Sequence, residues 1–253
     1  MWRSSRPFTY ASVLAALGLI AWEIGPPLLQ LPGYLVPQFS TVVASALNSR
    51  SLIAEHASWT ALEAVAGFVI GAFVGVGTGV GMALSPRVRF ALLPYVVASN
   101  AVPVIAVAPL VVLWIGHGFA SKSALAAFLC FFPVAINTYR ALIVRDTTLE
   151  DVILAFGGSS SDVFMRLRIP SSLPFVIAGL KLSATYSVIG AIVAEFVGSN
   201  RGLGYAMVQS AYSLNTARLF AYLIVACALG IAMYGLVAVA ERRLLRRYLM
   251  VTA

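Results

Sequence analysis

The sequence predicts an all-α, polytopic membrane protein with six spanning helices, and three observations carry that reading. Of the 253 residues 60% are hydrophobic and only 10% charged, with a mean hydropathy of +0.93, whereas a soluble domain carries roughly 25% charge. Apolar stretches near the roughly 20 residues needed to cross a bilayer recur at about 7–30, 57–84, 90–115, 123–141, 175–198 and 219–240. The basic residues gather at alternate breaks between them. With the N-terminus inside, thirteen fall on the inner side (Arg3, Arg6, Arg87, Arg89, Arg140, Arg145, Arg166, Arg168, Lys181, Arg242, Arg243, Arg246, Arg247) and four outside (Arg50, Lys122, Arg201, Arg218). That asymmetry satisfies the positive-inside rule and places both termini on the cytoplasmic side.

The net charge of +8 does not point to nucleic acid, because the basic residues are dispersed and no aromatic-interleaved patch exists. Contact with anionic membrane lipid accounts for them. Cys130 and Cys227 both lie inside apolar runs, where a small buried hydrophobe is the expected role and neither a disulfide nor a metal site is implied.

Along the chain, Arg3 and Arg6 precede the first apolar run, which no small-residue cleavage site follows promptly, so it reads as a retained span closed by Pro26-Pro27. Glu23 near its far end reads as an interfacial charge reaching water. Residues 31–56, uncharged for a long way but punctuated by prolines, suit an external loop with a short amphipathic helix. His56 there reads as a surface or capping histidine rather than a metal ligand. The second span carries Gly67, Gly71, Gly75 and Gly79, a four-residue spacing that leaves one face smooth for close approach of another helix. The Gly77-x-Gly79-x-Gly81 triplet is no nucleotide fingerprint, since no strand precedes it.

In the third span Pro94, Pro103 and Pro109 free backbone carbonyls, which at membrane depth is tolerated only against protein or a wet cavity. Asn100 and Pro103 are therefore pathway candidates, the alternative being a kinked packing helix. Residues 116–123, GHGFASKS, approach a phosphate-binding loop, but Ser121 replaces its last glycine and no strand leads in; a polar external turn suffices. The fourth span holds Pro133 and Asn137, another pathway candidate. Lys181 of the fifth span can snorkel to the headgroups. Glu195 at its outer end is either an intramembrane acid with a function or a surface partner of Arg201. An external segment, 202–218, with polar Gln209, Ser210, Ser213 and Asn215, leads to the last and clearest span and its basic stop, ERRLLRR.

Thr147 to Pro174, TTLEDVILAFGGSSSDVFMRLRIPSSLP, is the longest polar interruption in the second half of the chain. Thr148/Asp151 and Ser159/Asp162 each have capping-box spacing, predicting two short helices. Gly157-Gly158 ends the first, and Pro170 and Pro174 stop the second. Val163, Phe164 and Leu167 share a face of the second helix, flanked by Arg166 and Arg168. Such an apolar knob with a basic rim either docks into a groove on another protein or lies on the lipid surface.

This stretch resembles the cytoplasmic coupling loop of ABC-importer permeases, with Gly157, Leu167, Ile169 and Pro170 at matching spacings. It departs from the pattern in having Asp151 for Glu and Val152-Ile153 for two alanines. The resemblance extends to the nitrate/sulfonate/taurine importer family through LPGYLVP (31–37), GFVIGAFVGVGTGVGMALS (67–85), AVPVIAVAPLVVLWIGHGFASK (101–122), FFPVAINTYRAL (131–142), AGLKLSATYSVIGAIVAEFVGSNRGLGY (178–205) and 241–247. It implies the type I importer fold in a bacterial inner membrane and an alternating-access pathway for a small polar solute. That solute is a sulfonate-, nitrate- or taurine-like anion, or a vitamin or pyrimidine precursor. The implied partners are a second permease chain, two ATPase subunits and an external substrate-binding protein. ATP and magnesium belong to the ATPase subunits, leaving this chain without cofactor or catalysis. Asp151, Phe156, Gly157, Val163, Phe164, Leu167, Ile169 and Pro170 are the expected coupling residues; Asn100, Pro103, Asn137 and Glu195 are the pathway candidates. Two alternatives stand beside it. A self-sufficient channel or secondary transporter calls for more buried charge along the spans. An intramembrane enzyme calls for a Ser/His or acid pair at depth, whereas His56 and His117 both fall outside the expected spans.

Overall fold

Helix α3 (Arg50–Leu84) owes its place to its glycine stripe. In the computed structural model, which describes residues 6–144 and 146–249, Gly67, Gly71, Gly75 and Gly79 all face α6 (Phe119–Ile143). A Cβ on Gly71 would stand 2.5 Å from the Ala127 carbonyl oxygen, and one on Gly79 2.6 Å from Thr138 Cβ. On the other side of α6 lies α9 (Ile169–Phe196), whose Gly179 and Gly190 approach Asn137 and Ala126 in the same way. Cys130 Sγ donates to the Ser183 carbonyl and Ser183 Oγ to the Cys130 carbonyl, each at 3.0 Å, clasping α6 to α9. Small residues that let backbones meet, with hydrogen bonds across the seam, are what hold helices together where lipid removes the hydrophobic drive. These three helices form the centre of the bundle.

The expected third span is a broken one. Helices α4 (Pro86–Ala101) and α5 (Val104–Ile115) meet at 105°. Val102 is extended (φ −71°, ψ 122°) because Pro103 disfavours the helical region for the residue before it and brings no N–H. Pro94 and Pro109 stay inside their helices. Counting the bent pair as one, six helical units among the described residues are long and apolar enough to cross a membrane.

Helix α1 (Arg6–Leu28) includes Pro26 and Pro27 in its last turns and meets the bundle through α2 (Phe39–Asn48). Trp22 Nε1 donates to the Pro37 carbonyl at 3.0 Å, and Glu23 accepts from both the backbone N–H (2.8 Å) and the hydroxyl (2.7 Å) of Ser40. Glu23 is thus no free interfacial charge: it serves the positive end of α2. The amphipathic helix expected within 31–56 is α2, but α3 takes over at Arg50, so His56 lies in α3. Likewise α6 begins at Phe119, and Lys122 is buried within it rather than exposed in a turn. The segment 202–218 contains α10 (Leu203–Tyr212), whose Leu203, Ala206 and Met207 join Val42, Ile53 and Tyr222 in one core. Helix α11 (Thr216–Leu249) runs on through the basic stop. Lys181 does not reach outward; it forms an ion pair with Glu241 of α11, both side chains about one-fifth exposed or less. Arg3 and Arg145 lie outside the described residues.

Candidate functional site

Helix α7 (Thr147–Ala155) starts two residues earlier than its capping-box spacing indicates: Asp146 is the cap, its Oδ1 accepting from Leu149 N–H at 3.2 Å. The helix closes in a Schellman arrangement. Gly158 N–H donates to the Ile153 carbonyl (2.9 Å) and Gly157 N–H to that of Leu154 (3.0 Å), with Gly157 at φ +84°. The two glycines have different reasons. Gly157 supplies the left-handed turn and has open space around it, whereas a Cβ on Gly158 would lie 2.6 Å from Ile153 Cγ2.

Ser159 and Asp162 form the capping box: Ser159 N–H donates to Asp162 Oδ2 at 3.0 Å and Asp162 N–H to Ser159 Oγ at 3.2 Å. The single turn α8 (Ser160–Asp162) passes into a π-helical turn, Val163–Arg168, and then straight into α9. Pro170 and Pro174 therefore stop nothing; Pro170 sits in the first turn of α9 and Pro174 inside it. Proline clashes with the carbonyl four residues back and leaves it without a donor. A turn widened just upstream, where Ile169 N–H donates to the Phe164 carbonyl five residues back, accommodates that defect.

One continuous helix changes which side chains face outward. Val163 is buried, and Phe164, Leu167, Ile169 and Pro170 are half-buried. Val163 and Phe164 line a groove of about 640 Å³ against Leu84 and Pro86 of the α3–α4 corner. The outward apolar surface belongs instead to Leu149, Val152, Leu154 and Met165, with Phe156 at its tip, 90% exposed. Arg166 is exposed beside it, paired with Asp162 at 3.2 Å. Asp151 faces solvent with no ion-pair partner among the described residues, while its neighbour Glu150 is buried. Glu150 takes both arms of Arg168, Nε at 2.8 Å and the terminal nitrogen at 3.0 Å.

The four pathway candidates do not converge. Asn100, near the end of α4, and Pro103, at the bend, are both exposed. Asn137 Nδ2 turns back onto the Pro133 carbonyl at 2.7 Å, under Gly179 at the α6–α9 contact. Glu195 is 1% exposed and makes no pair with Arg201, whose guanidinium stacks over Trp59 at 4.8 Å.

Glu195 belongs to a polar cluster that caps α10. Three successive backbone N–H groups are each held by a side chain: Gly202 by His56 Nδ1 (3.2 Å), Leu203 by Thr60 Oγ1 (2.8 Å), Gly204 by Glu195 Oε2 (2.6 Å). Thr60 in turn donates to Glu195 Oε1 at 2.7 Å. Gly202 (φ +96°) must be glycine, since a Cβ there would collide with the Glu195 carboxyl. Beside them Lys122 pairs with Glu63 at 3.8 Å, both buried. His117 Nδ1 meets the Gly198 carbonyl at 3.2 Å in the same loop region. The acceptor role of His56 fixes its Nδ1 as unprotonated. Thr60 and Glu63 escaped the sequence reading, although His56, Thr60 and Glu63 at i, i+4 and i+7 draw a polar row along one face of an apolar helix. Among the described residues no acid/thiol/imidazole cluster suited to a metal exists.

Apolar helices around a small-residue seam, with a surface-exposed helical unit held between two of them, define a multi-pass membrane protein. The chain belongs to the family of binding-protein-dependent transport system inner membrane components, whose model matches residues 67–246. It is 33% identical to the formylaminopyrimidine transport permease protein ThiX of Halalkalibacterium halodurans, over 90% of this chain and 91% of the relative. It is 31% identical to the riboflavin transport system permease protein RibX of Chloroflexus aurantiacus (92% and 88%). Identity to the taurine transport system permease protein TauC of Escherichia coli is 27% (83% and 78%).

Proposed function

We propose that this chain is the permease subunit of an ATP-driven ABC importer in the inner membrane, and that residues 147–170 receive the ATPase subunit on the cytoplasmic side. The carrying observation is the exposed apolar surface of α7 and Phe156, presented on a braced unit between two spans. A 90%-exposed phenylalanine in a cytoplasmic segment calls for a partner groove. Two permease chains, identical or closely related, would pair around the α4–α5 bend, with Asn100 and Pro103 toward the pathway. Two ATPase subunits bind ATP and magnesium; this chain supplies no nucleotide site. An external binding protein delivers the solute to the opposite face. Closure of the ATPases moves the docked units, and the pair alternates between outward and inward states through its differential affinity for the partners in each state. The relatives' names include a pyrimidine, a vitamin and a sulfonate, which supports a small polar solute and no narrower cargo.

The test is co-purification with the ATP-hydrolysing subunit of the same transporter from detergent-solubilised membranes. Phe156→Asp is expected to weaken association by about tenfold or more, as loss of an interface anchor does. Tyr212→Asp, at a comparably exposed aromatic that ends α10, should leave it unchanged. Full association of Phe156→Asp would contradict the proposal.

A further inference from the structure

Helix α7 has nine residues, too few to be stable alone. What joins it to a spanning helix is Arg168, the last residue of the π turn and the one immediately before α9. The Glu150 and Arg168 side chains are 12% and 20% exposed, and the contact is two-pronged. A half-buried fork of this kind is directional in a way that a lysine or an open surface pair is not. The π turn fixes the azimuth at which Arg168 leaves the helix, and so the angle between α7 and α9.

We propose that Glu150 and Arg168 are positioning residues for coupling: they make the docking surface on α7 move as one piece with α9, so that displacement by the ATPase reaches the bundle. The inference rests on the docking reading above and goes beyond it. The family pattern has its acid at position 151, yet Asp151 faces solvent and the brace is made by its neighbour. Glu150 itself is not on the outward apolar surface, so its loss leaves the contact side chains in place.

The test uses the complete complex in liposomes with MgATP as the probe. Glu150→Gln is expected to bind the ATPase subunit as wild type does and to leave KM for ATP unchanged, because the pair is remote from the nucleotide. Its kcat for ATP hydrolysis should fall about tenfold, the size of a coupling energy between neighbours in contact. The exchanged pair, Glu150→Arg with Arg168→Glu, should recover a large part of the loss. Arg168→Lys, which keeps the charge but not the fork, should lose about threefold and serves where Glu150→Gln fails to assemble. Wild-type kcat in Glu150→Gln or Arg168→Lys overturns the proposal, as does an exchanged pair no more active than the single variants. If the wild-type chain does not bind the ATPase subunit at all, the docking reading fails first; if it binds and only the pair variants are silent, the pair alone is misassigned.

Discussion

Gly71→Leu is expected to leave almost no folded protein, whereas Gly77→Leu six residues on should fold normally. Both glycines lie in the same apolar helix, so membrane insertion and propensity cannot separate them. The space beside them can. A Cβ at position 71 would be 2.5 Å from the Ala127 carbonyl oxygen and 2.6 Å from Cys130 Cβ, atoms of a facing helix that cannot retreat without opening the α3–α6 seam. At position 77 nothing lies within 4 Å. Overpacking in a close-packed interior costs about 1–3 kcal/mol even where it can be relieved. Here a leucine would displace two helices along the stripe that Gly67, Gly75 and Gly79 also form. Monodisperse elution and the thermal midpoint of detergent-purified protein report the difference. Equal behaviour of the two variants would mean that α3 and α6 do not meet along this face.

Glu195→Ala should be the most damaging substitution outside the seam. It removes the acceptor for Gly204 N–H and Thr60 Oγ1 at a buried site. Each buried donor left without a partner costs about 1–3 kcal/mol, and the loss falls on the first turn of α10, which has no side-chain cap of its own. Glu195→Gln should be milder, because the amide oxygen can still accept from Gly204 while its NH₂ turns to Thr60. A thermal midpoint much lower for alanine than for glutamine is the expected order. Arg201→Ala, by contrast, should leave the midpoint near wild type, since its guanidinium stacks on Trp59 and takes no part in the cap.

What the sequence disclosed and what it hid follow the range of the interactions concerned. The glycine stripe, the Ser159/Asp162 box and the Gly157 turn are local signals, and each was legible. The break in the third span was not assignable from composition, because Pro94, Pro103 and Pro109 carry the same local penalty and only packing decides which is expressed. Glu195 meets Thr60 across 135 residues of chain, so no window around AEFVGSN could reveal that it caps α10 rather than pairing with Arg201. The outward face of the 147–170 unit was misassigned for a different reason. Treating Ser159–Ile169 as a free helix ended by Pro170 put Val163, Phe164 and Leu167 outside; continuity into α9 through a π turn carries Val163 inward and hands the surface to α7 and Phe156. Glu150 and Asp151 illustrate how little separates two roles: one residue of helical rotation sends one acid into a two-pronged contact and the other to solvent.

The most direct test of the docking claim is a cysteine cross-link. In a background with Cys227→Ser, which removes the one exposed native thiol among the described residues, Phe156→Cys and Tyr212→Cys would each be treated with a short thiol-to-amine reagent in membranes containing the assembled transporter. A product with the ATP-hydrolysing subunit is expected from position 156 and none from position 212. A product from position 212 alone would place the ATPase at the opposite end of the bundle and contradict the assignment of residues 147–170.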